Sequence, residues 1–147
     1  MVVMIESMTS VIDELRLLNN RLLELAEELH SGSGITAPQR AVLEFIHRQG
    51  SATVPTIARA RGVTRQHIQT ISNELRSLDL IEAQQNPAHQ RSPMIVLTDD
   101  GHQTIDRILE RERDYLTSHV GDLDANQLRA AAQTLSTFRH ALRKSTR

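Results

Sequence analysis

The stretch Thr53–Leu78, TVPTIARARGVTRQHIQTISNELRSL, decides the fold. Thr53 is placed to cap a short helix over about 54–61, with Pro55 in the first turn, where a missing N–H costs little. That helix buries Ile57 and Ala58 and closes at Gly62. Thr64 then caps a second helix reaching about Leu78. Steps of three and four put Ile68, Ile71, Leu75 and Leu78 on its inner face, with Ser72 as a small neighbour. Arg65, Gln66, Gln69, Thr70 and Asn73 fall on the outer face. Two helices joined by a tight glycine turn, the second polar in its N-terminal half, match a helix-turn-helix. An ordinary helix corner with a solvated face has the same pattern, so the neighbouring residues must decide.

Downstream, Asp79–Gln85 leads into a strand, and Met94–Leu97 forms a second. The polar turn Asn86–Ser92 between them, followed by Pro93, predicts a hairpin with a long loop and an edge position for the proline. The loop tip holds His89, Gln90 and Arg91 and no acid, which suits a place beside phosphates. A hairpin next to a helix-turn-helix makes it winged. The second helix of such a unit enters the major groove of duplex DNA, where every base pair shows a distinct edge. Arg65 can fork onto guanine, Gln66 and Gln69 can bridge adenine, and Thr70 can meet a polar edge or a thymine methyl. Thr64 and Asn73 flank them, and His67 either faces DNA or packs beside the turn. Arg91 can enter a narrow minor groove, where the potential is most negative.

The flanks are helical. Residues 9–30 place Val11, Ile12, Leu15, Leu18, Leu22, Leu25 and Leu29 on one face, while Leu17 and Leu23 lie outside it. A helix apolar on two sides packs against something besides its own domain. Ser31–Gly34 ends it. Thr36 and Gln39 can form a capping box for a helix to about Gln49, burying Val42, Leu43, Phe45 and Ile46 and stopping at Gly50. Thr98 caps a further helix, with Asp99 and Asp100 in its first turn, that runs through Ile105, Ile108, Leu109, Leu116 and Val120 to Gly121. Asp124 and Gln127 suggest a second box, opening a helix with Leu128, Ala131, Leu135, Phe138 and Leu142 on one face.

Composition narrows the class. At 147 residues, 39% hydrophobic, the chain can bury a real core. Its only aromatics are Phe45, Tyr115 and Phe138, which favours packed helices. Cysteine is absent, so disulfides, thiolate metal sites and cysteine oxidation are excluded. Met1–Ile5 meets Glu6 at once and does not read as a signal peptide, and no apolar run is long enough to span a bilayer. A cytoplasmic protein is expected. Net charge is −1, but residues 31–96 hold seven arginines against four acids, whereas residues 1–30 hold two against six. Residues 97–128 hold three arginines against eight acids, and 129–147 hold five bases and no acid. The middle is thus basic between acidic neighbours, and 16 of the 17 bases are arginine, which suits forked contacts to phosphate and guanine. The basic tail Arg139–Arg147 reads as a solvated helix end or a phosphate contact. The seven histidines show no metal-ligand spacing, though His47 and His102 on separate helices can meet. Adjacent Asp99 and Asp100 point about 100° apart on a helix and read as helix-start electrostatics. No phosphate loop, nucleophile elbow or other catalytic motif is present, and no metal or cofactor is implied, so an enzyme is not expected.

In its ordered set of pieces the chain resembles the MarR family of bacterial regulators. The pieces are Ile57-Ala58, Val63–Ile68, Leu75–Ile81, Asn86-Pro87, Arg91-Ser92 and Val96–Gly101, and the flanking long helices also match. The resemblance implies a mainly α fold with a small β-hairpin wing. The winged helix-turn-helix would occupy 35–98, residues 1–34 and 122–147 a helical dimerisation region, and residues 99–121 a connecting helix. It implies a homodimer whose first and last helices interlock, two winged domains on successive major grooves of an inverted repeat, and Arg91 as the wing arginine in the minor groove. It also implies a repressor released by a small anionic or phenolic ligand. One departure stands out: the family's wing usually begins with an acid that braces it against the recognition helix, and here His89-Gln90 stand in place of the Asp-Arg pair. The alternative is a helical module whose winged fold meets protein rather than DNA, which a net charge of −1 leaves open.

Overall fold

The computed structural model describes residues 1–143, so the basic tail from residue 144 onward lies outside the described residues. The elements follow the order α1 (Val2–His30), α2 (Ala37–Gln49), α3 (Val54–Arg61), α4 (Arg65–Ser77), β1 (Ile81–Gln84), β2 (Met94–Leu97), α5 (Asp99–Val120) and α6 (Ala125–Arg143). The chain divides into two compact units, 1–111 and 112–147.

In the first unit, local chemistry sets each helix boundary. The Thr36 hydroxyl accepts from the Gln39 amide, and the Gln39 side-chain oxygen accepts from the Thr36 amide at 2.9 Å, completing the expected box. Thr53 accepts from the Thr56 amide and Thr64 from the His67 amide. Gly62 ends α3 in the left-handed conformation (φ 68°) that a side chain would resist. These caps fix the angle at which α4 leaves α3. The apolar faces then meet in one core running from Val42 to Ile105, built around Leu43, Ile46, Ile57, Ile68 and Leu75, each almost fully buried. The hairpin closes this core: antiparallel β1 and β2 pair Ile81 with Leu97 and Ala83 with Ile95, and Ile81, Ile95 and Leu97 are buried.

Three features differ from the sequence reading. First, Leu78 is exposed, and Leu80 takes the core position instead. Helix α4 ends at Ser77, and Asp79 adopts φ 56°, so the chain reverses before Leu80 and turns that side chain inward. A non-glycine residue in the left-handed region carries steric cost. Asp79→Gly is therefore expected to raise stability by about 0.5–1 kcal/mol, read as a higher denaturation midpoint. An unchanged or lower midpoint would show that the turn carries no strain. Second, Ala52 pairs with Ile95 through reciprocal backbone bonds of 3.0 and 2.8 Å, tying the segment before α3 to the wing. One residue has no alternation, so periodicity could not reveal it. Third, α1 extends back to Val2, and Leu18 and Leu22 of the expected stripe stay exposed, as do Leu17 and Leu23 outside it. The buried residues of α1 are Leu25 and His30.

The start of α5 is locked to the exit of α4. The Thr98 hydroxyl accepts from the Gly101 amide and donates to the Asp79 carbonyl at 2.6 Å, while the Thr98 amide donates to the Leu80 carbonyl. Asp99 and Asp100 lie in the first turn of α5, where helix-start electrostatics favours negative charge.

In the second unit Asp124 Oδ1 accepts from the amides of Asn126 and Gln127, so the aspartate starts α6. Leu135 and Phe138 are half-buried, while Leu116, Val120, Leu123, Leu128 and Leu142 are exposed.

Candidate nucleic-acid interface

Helix α4 turns Ile68, Ile71, Ser72 and Leu75 into the core and leaves its opposite face in solvent. Arg65, Gln66, His67, Gln69, Thr70 and Asn73 are all exposed. That burial contrast is strong enough to fix the rotation of the helix, so the polar residues project outward together. His67, open to two readings from sequence, is exposed. Thr64 and Thr70 already have hydrogen bonds: Thr64 as the N-cap, and Thr70 Oγ1 as donor to the Gln66 carbonyl. Gln69 Nε2 donates to Asn73 Oδ1 at 3.0 Å, which holds its amide extended along the surface. Gln39 Nε2 donates to Glu74 at 2.8 Å. One side chain thereby both caps α2 and holds α4 in register.

In the wing, His89, Gln90 and Arg91 are exposed at the loop tip. The acid brace implied by the resemblance is replaced by an asparagine that closes the loop from within. Asn86 Nδ2 donates to the Ser92 carbonyl at 2.8 Å, and Asn86 Oδ1 accepts from the Ala88 amide at 3.1 Å. Backbone bonds from His89 to Asn86 and from Ser92 to His89 shape the rest.

A cleft of about 270 Å³ opens between α4 and the wing. Arg65, Gln66, Gln69 and Arg76 line it from α4, and Arg91 and Ser92 from the wing. The cleft thus brings together Arg65, Gln66, Gln69 and Arg91 of the expected site. His67, Thr70, Asn73, His89 and Gln90 remain on the surrounding surface. Sequence reasoning missed Arg76. Its signal was legible: it lies seven residues after Gln69 and eleven after Arg65, which at about 100° per residue returns it to the same face.

The histidines away from this cleft form no comparable site. His47 and His102 do meet, with ring centroids 5.8 Å apart, and Asp106 lies 3.6 Å from His47 Nε2. Among the described residues, however, no group of three or more His, Asp or Glu is placed to hold a metal ion. No helix among them is long and apolar enough to cross a membrane.

Comparison with known proteins agrees with this geometry. The model of the MarR family matches residues 33–92, from the turn before α2 through the wing. An uncharacterized protein of Mycobacterium tuberculosis is 35% identical over 105 residues, covering 67% of this chain and 73% of the relative. The crystal structure of a MarR family transcription regulator matches with a TM-score of 0.82 at 28% identity, over 96% of this chain and 95% of that one. A mutant MarR of Escherichia coli complexed with operator DNA shares the fold, with a TM-score of 0.77 at 20% identity over 90% and 95% of the two chains. Motifs, architecture and these matches together place the chain in the MarR family of winged helix-turn-helix transcription regulators, which are DNA-binding regulators rather than enzymes.

Proposed function

We propose that this protein works in the cytoplasm as a homodimer that binds an inverted repeat in duplex DNA and represses transcription until a small ligand releases it. The observation that carries the reading is the arginine-lined cleft joining the exposed face of α4 to the wing. In this reading Arg65, Gln66 and Gln69 read base edges, with Thr64, His67, Thr70 and Asn73 beside them. Arg91 enters the minor groove, flanked by His89 and Gln90.

Two further observations support the pairing and the release. The apolar residues left exposed on α1 and on α6 are suited to cover by a second copy of the chain. A pocket of about 70 Å³ at the α1–α2 turn, lined by Ser33, Thr104, Arg107 and Arg111, has the size and charge to receive one anionic group of an effector. With so few aromatic residues, an aliphatic acid suits the chain better than a stacked phenol.

Footprinting and gel shifts on the DNA flanking its own gene test the proposal. Binding in the nanomolar range, falling steeply with salt as arginine contacts release counterions, is expected. Arg91→Ala should weaken binding to every duplex, whereas Arg65→Ala or Gln69→Ala should change sequence preference by about 1–3 kcal/mol per base pair. Three variants indistinguishable from the native protein would defeat the site assignment. Absence of any shift at low salt would favour a protein partner for the winged fold.

A further inference from the structure

Resting on the DNA-binding reading above, we propose that Arg76 grips the backbone phosphate at the rim of the minor groove, the same phosphate that Arg91 passes as it enters that groove, so that the DNA strand itself docks the wing onto the recognition helix. The cleft between α4 and the wing is lined by Arg65, Arg76 and Arg91, and no Asp or Glu lines it. None of the three forms an ion pair among the described residues. Some arginines elsewhere do have an acidic partner: Arg16 pairs with Asp13, and Arg48 with Glu44. Guanidiniums gathered without a counter-charge repel one another and keep a strong demand for an anion. The cleft is wide enough at about 270 Å³ to admit a phosphate group while its chain continues outside.

Helix geometry separates the roles of the two α4 arginines. Eleven residues at 1.5 Å each put Arg76 about 16 Å along the axis from Arg65, on the same face. The N-terminal end of a recognition helix meets base edges, so a side chain three turns further on reaches the sugar–phosphate rail bordering the groove. There it meets the wing. Contacts of this kind fix register and orientation and carry no sequence information. The Asn86 clasp orders the wing loop internally but supplies no charge toward α4. A shared phosphate fills that place.

The test is salt titration of binding by native protein, Arg76→Gln and Arg76→Lys. Two duplexes serve as probes, one carrying the footprinted repeat and one of mixed sequence. Each subunit of the dimer carries one Arg76, so the substitution removes two phosphate contacts and lowers the slope of log affinity against log salt by about 1.8. The advantage of native protein over Arg76→Gln should therefore shrink about 12-fold between roughly 50 and 200 mM salt, equally on both duplexes. Arg76→Lys should keep the native slope, and both variants should melt as the native protein does, since Arg76 is exposed. An unchanged slope in Arg76→Gln while native protein still binds overturns this inference and leaves the DNA-binding reading standing. A loss confined to the repeat duplex also overturns it, because Arg76 would then read a base. Native protein that binds neither duplex removes both.

Discussion

Gly101→Ala is expected to destabilise the winged domain by about 3 kcal/mol, near the upper end of overpacking effects. A β-carbon built on Gly101 would lie 2.0 Å from the Leu80 carbonyl oxygen and 3.0 Å from its carbon, both backbone atoms that cannot rotate aside. Relief requires α5 to lift from the start of β1. That movement would break the bonds of Thr98 to Gly101, Asp79 and Leu80, which together form the corner between recognition helix and α5. Gly101 is itself buried in the first turn of α5, so no solvent gap is available to absorb the methyl group. Urea denaturation followed by circular dichroism reads the effect directly. A midpoint within about 0.5 kcal/mol of native would mean that the corner is far more compliant than this packing allows.

Leu22→Glu is expected to leave a folded subunit that no longer pairs and that binds the repeat about 10²- to 10⁴-fold more weakly, because two linked half-site contacts become one. Leu22 is about half exposed (49%) in the single subunit, so a carboxylate there costs that subunit little. Against a partner the same charge would be buried without a counter-ion, a penalty large enough to exclude pairing. Helix α1 is 29 residues long, yet its buried residues are Leu25 and His30. Isolated helical stability is weak, and most comes from a covered apolar face. Light scattering on both forms decides the matter: a native protein already monomeric, or a variant that stays dimeric, would defeat the proposed pairing surface.

The local grammar of the chain was open to direct reading. Thr36, Thr53, Thr64 and Thr98 act as caps because a short hydroxyl at a helix start has few other roles. The inner face of α4 followed from the spacing of Ile68, Ile71 and Leu75, since three apolar side chains on one side fix a helix's rotation. The order of elements from those boundaries then specified a winged helix-turn-helix, and with it an outward face bearing Arg65, Gln66 and Gln69.

Other features depend on residues distant in sequence, which no periodicity encodes. The exchange of Leu78 for Leu80 hangs on one left-handed residue, Asp79; aspartate enters that region more readily than most side chains, but helical spacing does not mark where it does so. The Ala52–Ile95 bridge and the Gln39–Glu74 bond join segments more than thirty residues apart. Helical spacing places Arg76 on the face of Arg65 and Gln69, but only the folded wing brings Arg91 into the same cleft. Sequence by itself therefore determined the helices, their caps and the direction of the recognition face, because those are set by neighbours within one or two turns. Tertiary structure alone decided how the wing closes and which charges share its cleft, because electrostatic proximity across elements exists only after the core has brought them together.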